Sequence, residues 1–248
     1  MMYLAIAAAI LIGLPTLVHI VFWLLLGRAQ GDEAKLAQQS NNEVEVTRGR
    51  FQTYKPRQQP VKAGFIFYIG GYVYPESYGP LMQRLAKEGY FCVVLPALTN
   101  TAFMNRMAAD KVLSAFPEIE HWFVGGHSQG AAAAALYVRD RSADNPKIKG
   151  FVSLGCFFGE RLGLAKVTLP SISIYGTCDG LAHHFDKFSK NLPQPSTIER
   201  ISGGNHKGFA NYIRHFKDGV AEISRDEQQR ITANQLSAFF TANSAVNT

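Results

Sequence analysis

Cysteine is scarce in this sequence. Only Cys92, Cys156 and Cys178 occur among 248 residues. Three thiols cannot build a disulfide framework, and two of them lie in apolar runs, as small buried side chains do. No Cys pair and no Gly-rich phosphate loop occurs, and His183-His184 has no partner at ligand spacing, so neither a metal nor a cofactor is expected. Gly (22) and Pro (11) form no tract or period, which excludes solenoid and fibrous repeats. A stripe of Lys and Arg interleaved with aromatics is also missing, so the net charge of +6 does not point to nucleic acid. Seven of the basic residues fall between Arg28 and Lys62 against four acids, which places +3 of the excess there. What the chain does have is apolar mass. At 47% hydrophobic and 12% aromatic it is too apolar for a disordered tail and long enough for one sizeable domain.

Charge is absent altogether from Met1 to Leu26. Roughly 20 such residues cross a bilayer core. A secretory signal would carry a basic leader and a shorter apolar stretch, although Gly27-Arg28-Ala29 is a passable cleavage site. Residues 1–27 are therefore expected to form a single N-terminal transmembrane anchor, with a cleaved signal or a buried helix as alternatives. Arg28 and Lys35 follow the run closely and no Lys or Arg precedes it, so the positive-inside rule puts the rest of the chain in the cytoplasm, with export as the alternative. Residues 28–43 read as a polar tether without apolar period, 44–242 as one domain, and 243–248 as a tail.

Within that domain, Val44–Val46 and Phe51–Tyr54 alternate like half-exposed strands. Ala63–Ile69, Tyr90–Leu95, Trp122–Gly126, Phe151–Cys156 and Ser171–Tyr175 are continuous apolar runs, as in strands buried on both faces, and Ile198–Ile201 reads as a short last strand. Helical spacing follows at Tyr78–Ala86, around Arg106–Phe116, over Ala131–Val138, near His184–Lys190 and over Gln228–Phe240. This alternation predicts an α/β fold whose mostly parallel sheet is covered by helices on both faces.

The chemistry-bearing residues sit where strands end. Gly126-His127-Ser128-Gln129-Gly130 follows one buried strand and opens a helix, the setting of a nucleophile elbow. A serine on so tight a turn needs small neighbours two positions away on either side. A serine hydroxyl also needs a base, and the base an orienting acid. Asp179 directly follows the strand SISIY, and His206 directly follows the last strand. The other histidines lie in the apolar run, in the elbow, or in helices and loops with no strand end before them. For a developing oxyanion, the backbone N–H of Gln129 and that of Tyr72 are the expected donors, with Gly71 and Val73 as near alternatives.

FIFYIGGYVYPESYGPL, GGHSQGA, IYGTCDG, GGNHKGF and DGVAEISRDEQQ, in that order, resemble an α/β-hydrolase, most closely its small dienelactone-hydrolase-like and carboxylesterase-like branch. The likeness runs from about Phe51 to Gln229. It implies Ser128 as nucleophile, Asp179 as acid and His206 as base, and a reaction on esters or thioesters of small to medium size through an acyl-enzyme. It departs at Gln129, where Leu or Met is frequent, and dienelactone hydrolases themselves carry a cysteine nucleophile. An amidase or peptidase on the same scaffold, or a membrane-tethered binding module without activity, are the alternative readings. Between Ser128 and Asp179 only Phe157–Pro170 is not consumed by strands and a helix. No large lid domain is therefore expected, and Gly71, Phe157, Phe158 and Tyr72 are candidate pocket residues.

Overall fold

The computed structural model describes residues 13, 16–17, 28–96, 105–213 and 218–244. The expected anchor over residues 1–27 lies outside them except for Gly13, Thr16 and Leu17, and among the described residues no helix is long and apolar enough to cross a membrane.

Eight strands form one sheet in the order β1-β2-β4-β3-β5-β6-β7-β8. They are β1 (Val44–Arg48), β2 (Gln52–Pro56), β3 (Ala63–Tyr68), β4 (Tyr90–Leu95), β5 (Trp122–His127), β6 (Ile148–Leu154), β7 (Thr168–Gly176) and β8 (Gln194–Ile201). β1 and β2 pair antiparallel with each other, and β2 with β4; every other pair is parallel. Parallel strands need crossovers, and the helices supply them. These are α1 (Gly31–Leu36), α2 (Gly79–Lys87), α3 (Ala108–Ala115), α4 (Gln129–Arg141), α5 (Ala182–Phe188) and α6 (Arg225–Ser244).

The period of two along β3 shows how the sheet is covered. Phe65 and Phe67 point to one core with Leu81, Met82 and Leu85 of α2 and Leu236 and Phe240 of α6. Ile66 and Tyr68 point to the opposite core with Val112 of α3 and Ala131–Ala135 and Val138 of α4. Because both faces are dry, these strands read as unbroken apolar runs.

Two segments differ from expectation. β8 begins at Gln194, earlier than its apolar end suggests, because its outer residues are half-exposed and its backbone pairs with β7. The expected tether is not a free chain. Residues 31–36 are helical, Ala34 and Ala37 are buried, and Gln38 Nε2 donates to the carbonyls of Ala34 and Glu76 at 3.2 and 3.0 Å. At its start, the Gln30 N–H donates to the Asn211 carbonyl at 2.8 Å. Two alanines and a glutamine side chain leave no hydrophobic period, so docking of this kind is invisible to pattern.

Candidate active site

The carboxyl ends of β5, β7 and β8 build the site. Ser128 ends β5 and starts α4 with φ 53° and ψ −121°, and its N–H donates to the Leu154 carbonyl at the end of β6 at 2.8 Å. This is the left-handed region, sterically costly for a residue with a Cβ. Among the described residues only one other non-glycine shares it, Tyr72 with φ 61°. The flanking glycines show what makes the turn possible. A Cβ on Gly126 would lie 2.6 Å from the Tyr68 carbonyl oxygen, and one on Gly130 would collide with the carbonyl oxygens of Tyr68 and Ile69. Ser128 remains half-buried at the mouth of this turn.

Asp179 follows β7 and His206 follows β8. His206 Nδ1 donates to Asp179 Oδ2 at 2.7 Å, with both side chains 1% exposed. The second carboxylate oxygen accepts the Leu181 N–H at 2.9 Å. Because Nδ1 is committed as donor, Nε2 is the basic nitrogen of the neutral ring. Gly155, at φ 57° after β6, closes over the pair, and a Cβ there would lie 3.2 Å from His206 Nδ1. The His206 loop is itself clamped. Asp218 accepts the N–H groups of His206 and Lys207, each at 2.9 Å, and Gln228 of α6 exchanges two hydrogen bonds with the Asn205 backbone. Burial raises the Asp218 carboxyl above the usual aspartate range, partly offset by those two N–H donors.

His127, directly before the nucleophile candidate, ties the elbow to both neighbouring loops. Its ring packs on that of His206 at 4.6 Å between centroids, and its Nε2 lies 3.1 Å from the His206 carbonyl oxygen. A carbonyl only accepts, so Nε2 carries the proton and Nδ1 accepts from the Tyr78 hydroxyl at 2.9 Å. That hydroxyl in turn accepts the Gly70 N–H at 2.8 Å. One buried chain of hydrogen bonds therefore runs from the loop after β3, through the elbow, to the loop of His206. Sequence reasoning missed Tyr78, Asp218 and this use of His127; no local pattern signals them, because their partners lie in loops distant along the chain.

The remaining expected residues fall in two groups. Tyr72 and Gly71 lie on the loop after β3 beside the elbow. A Cβ on Gly71 would lie 2.8 Å from Gln129 Oε1, a buried oxygen without a hydrogen-bond partner. Phe157 stands at the rim, its ring 4.8 Å from His184 and stacked on Phe188 at 5.3 Å. Phe158 is 1% exposed and packs on Phe151 at 5.8 Å, so it belongs to the core and not to the rim. The structure joins His206 directly to Asp179 and, through His127, to the Ser128 elbow. Cys178 neighbours the acid without entering the elbow, and the Cys156 thiol is pushed up to about 12, mainly by burial and then by Asp179. Among the described residues no group of three His, Cys, Asp or Glu is placed to hold a metal ion. A cavity of about 560 Å³ opens at the other end of the sheet against Phe91, Phe116 and His121.

Residues 64–230 match the sequence model of the alpha/beta hydrolase family. Solved structures share the fold at low identity. A predicted CIB-like hydrolase from Thermoplasma acidophilum is 13% identical with a TM-score of 0.55, over 79% of this chain and 96% of the other. A hormone-sensitive lipase from a metagenome library is 11% identical with a TM-score of 0.60, over 85% and 90%. A ferulic acid esterase from Streptomyces cinnamoneus is 15% identical with a TM-score of 0.59, over 77% and 69%. No curated protein sequence matches this chain.

Proposed function

The chain belongs to the alpha/beta hydrolase family, and from that premise we propose that it is a serine hydrolase of carboxylic esters or thioesters. The observation that carries this reading is the left-handed Ser128 at a strand-to-helix turn beside the buried 2.7 Å Asp179–His206 pair. In the proposed reaction His206 Nε2 takes the Ser128 proton while Oγ attacks the carbonyl carbon. Asp179 holds the imidazole in the Nδ1–H tautomer and stabilises the imidazolium that forms. The oxyanion is met by the backbone N–H groups of Tyr72 and Gln129, the second at the positive end of α4. His206 then returns the proton to the leaving alcohol or thiol, and water, deprotonated by the same nitrogen, releases the acid from the acyl-enzyme. The esterase and lipase named among the structural neighbours are consistent with ester substrates.

The same reading includes an N-terminal membrane anchor over residues 1–27 with the hydrolase domain on the cytoplasmic face. It is supported by the uncharged run before Arg28 and the basic residues after it. An ester-length series measured on the wild type and Ser128→Ala, with amide analogues in parallel, tests the chemistry. Turnover of esters lost in Ser128→Ala is expected. Turnover that survives the substitution, or amides cleaved in preference to esters, contradicts it.

A further inference from the structure

We infer that the catalytic mouth faces the bilayer at close range and that the substrate is an ester drawn from the lipid phase; this rests on the ester-hydrolase and membrane-anchor readings above. The distance follows from where the chain after the apolar run is fixed. Gln30 is hydrogen-bonded to Asn211, five residues after His206, and the Asn211 N–H donates to the Ser77 carbonyl in the loop after β3. Only Arg28 and Ala29 separate Gln30 from Gly27. At 3.3–3.6 Å per extended residue, three residues span at most about 11 Å, so the end of the apolar run is held within about 11 Å of Gln30 and of the Asn211 segment that it bonds. A free tether of 16 residues would allow about 20 Å or more in any direction. The docked α1, with Ala34 and Ala37 buried and Gln38 bonded to Glu76, makes the connection a strut.

Exposed apolar side chains give the second, independent observation. Among the described residues the large ones are Leu17, Leu36, Ile213 and Val220. Leu17 belongs to the apolar run itself. Leu36 is on the docked α1, and Ile213 follows Asn211 by two residues. Val220, 90% exposed, follows Gly219, whose N–H donates to the Cys178 carbonyl beside Asp179 and whose carbonyl accepts from Asn205 beside His206. Ile213 and Val220 lie on the chain that continues from the His206 loop, and the α1 segment that carries Leu36 is tied to Asn211 and Glu76. Exposed apolar side chains on segments that dock at the carboxyl end of the sheet suit an interaction surface there, and a bilayer reached through the short connection from Gln30 is the occupant at hand. Phe157 stacked on Phe188 adds an apolar wall on the Asp179 side, suited to an acyl chain entering from that surface.

The test uses the full chain reconstituted in phosphatidylcholine vesicles doped with brominated lipid. A tryptophan reporter is introduced as Val220→Trp or, at the opposite end of the sheet, as Glu118→Trp, both in a Trp23→Phe background whose own emission, from the buried Trp122, is subtracted. Quenching of the Val220→Trp emission with none for Glu118→Trp is expected; equal quenching at both, or at neither, overturns the inference. In parallel, Val220→Asp combined with Leu36→Asp is expected to slow hydrolysis of a long-chain ester embedded in vesicles about tenfold while a soluble short-chain ester is cleaved at the wild-type rate. Equal turnover of the embedded ester by wild type and variant also overturns it. A wild type that cleaves neither ester refutes the hydrolase reading itself, and the quenching result then stands separately.

Discussion

Removing one oxygen from Tyr78 tests whether the buried chain of hydrogen bonds organises the site. Tyr78→Phe keeps the ring, which packs on Phe67 at 4.8 Å between centroids, so little packing is lost. The hydroxyl, however, has two partners, the Gly70 N–H at 2.8 Å and His127 Nδ1 at 2.9 Å. Tyr78 and His127 are 0% and 1% exposed, so water cannot replace it without rearrangement. Each buried polar group left unsatisfied costs about 1–3 kcal/mol, which gives about 2–6 kcal/mol for the pair. In a domain of this size about 2–4 °C of Tm accompanies each kcal/mol, so a fall of at least about 4 °C is expected. Tyr90→Phe is the control, because its hydroxyl bonds the Ser237 carbonyl and the Thr241 hydroxyl at the partly exposed edge of α6, and a smaller shift is expected there. Kinetics should separate as well. Gly70 precedes the loop of Tyr72, and His127 holds the His206 backbone, so kcat on a soluble ester should fall while KM changes little. A Tm within about 1 °C of wild type with kcat unchanged would refute the reasoning.

Other perturbations have equally defined outcomes. Gly130→Ala puts a methyl group into the carbonyl oxygens of Tyr68 and Ile69, so the elbow must open; loss of ester turnover with a drop in Tm of several degrees is expected, by activity assay and calorimetry. Asp179→Asn keeps the shape but disfavours the Nδ1–H tautomer of His206; kcat should fall on the order of 10³–10⁴-fold with Tm nearly unchanged. Because burial pushes the Cys156 thiol up to about 12 and raises the fully buried Cys92 thiol further, both should stay protonated and resist iodoacetamide at pH 8 in the folded protein. Mass mapping of the alkylated chain checks this, and modification of either before unfolding would contradict it.

The parts of the fold legible in the sequence are those whose burial is uniform. β3, β4 and β5 are dry on both faces and therefore read as unbroken apolar runs with strand ends near those observed. Ser128, Asp179 and His206 stand out for a related reason, since each follows the carboxyl end of a strand, where a parallel sheet presents its loops. β8 is half legible because Gln194–Thr197 pair through backbone while their side chains meet water. The docked linker is not legible at all. Its contacts are two alanines and the polar groups of Gln30 and Gln38, which carry no period. The same holds for Tyr78, whose place in the helical pattern signals core, while its hydroxyl serves the loop after β3 and His127 of β5. Phe157 and Phe158 are adjacent in an irregular segment, and only the backbone direction decides that one reaches the rim and the other the core.

The most direct measurement of the central claim is covalent labelling of the folded protein with a fluorophosphonate, followed by mass mapping of the modified peptide and the same reaction on Ser128→Ala. The account predicts a single modified residue, Ser128, with ester turnover lost in proportion to labelling and no labelling of the variant. Labelling that persists in Ser128→Ala, or ester turnover that continues after Ser128 is fully modified, would contradict it.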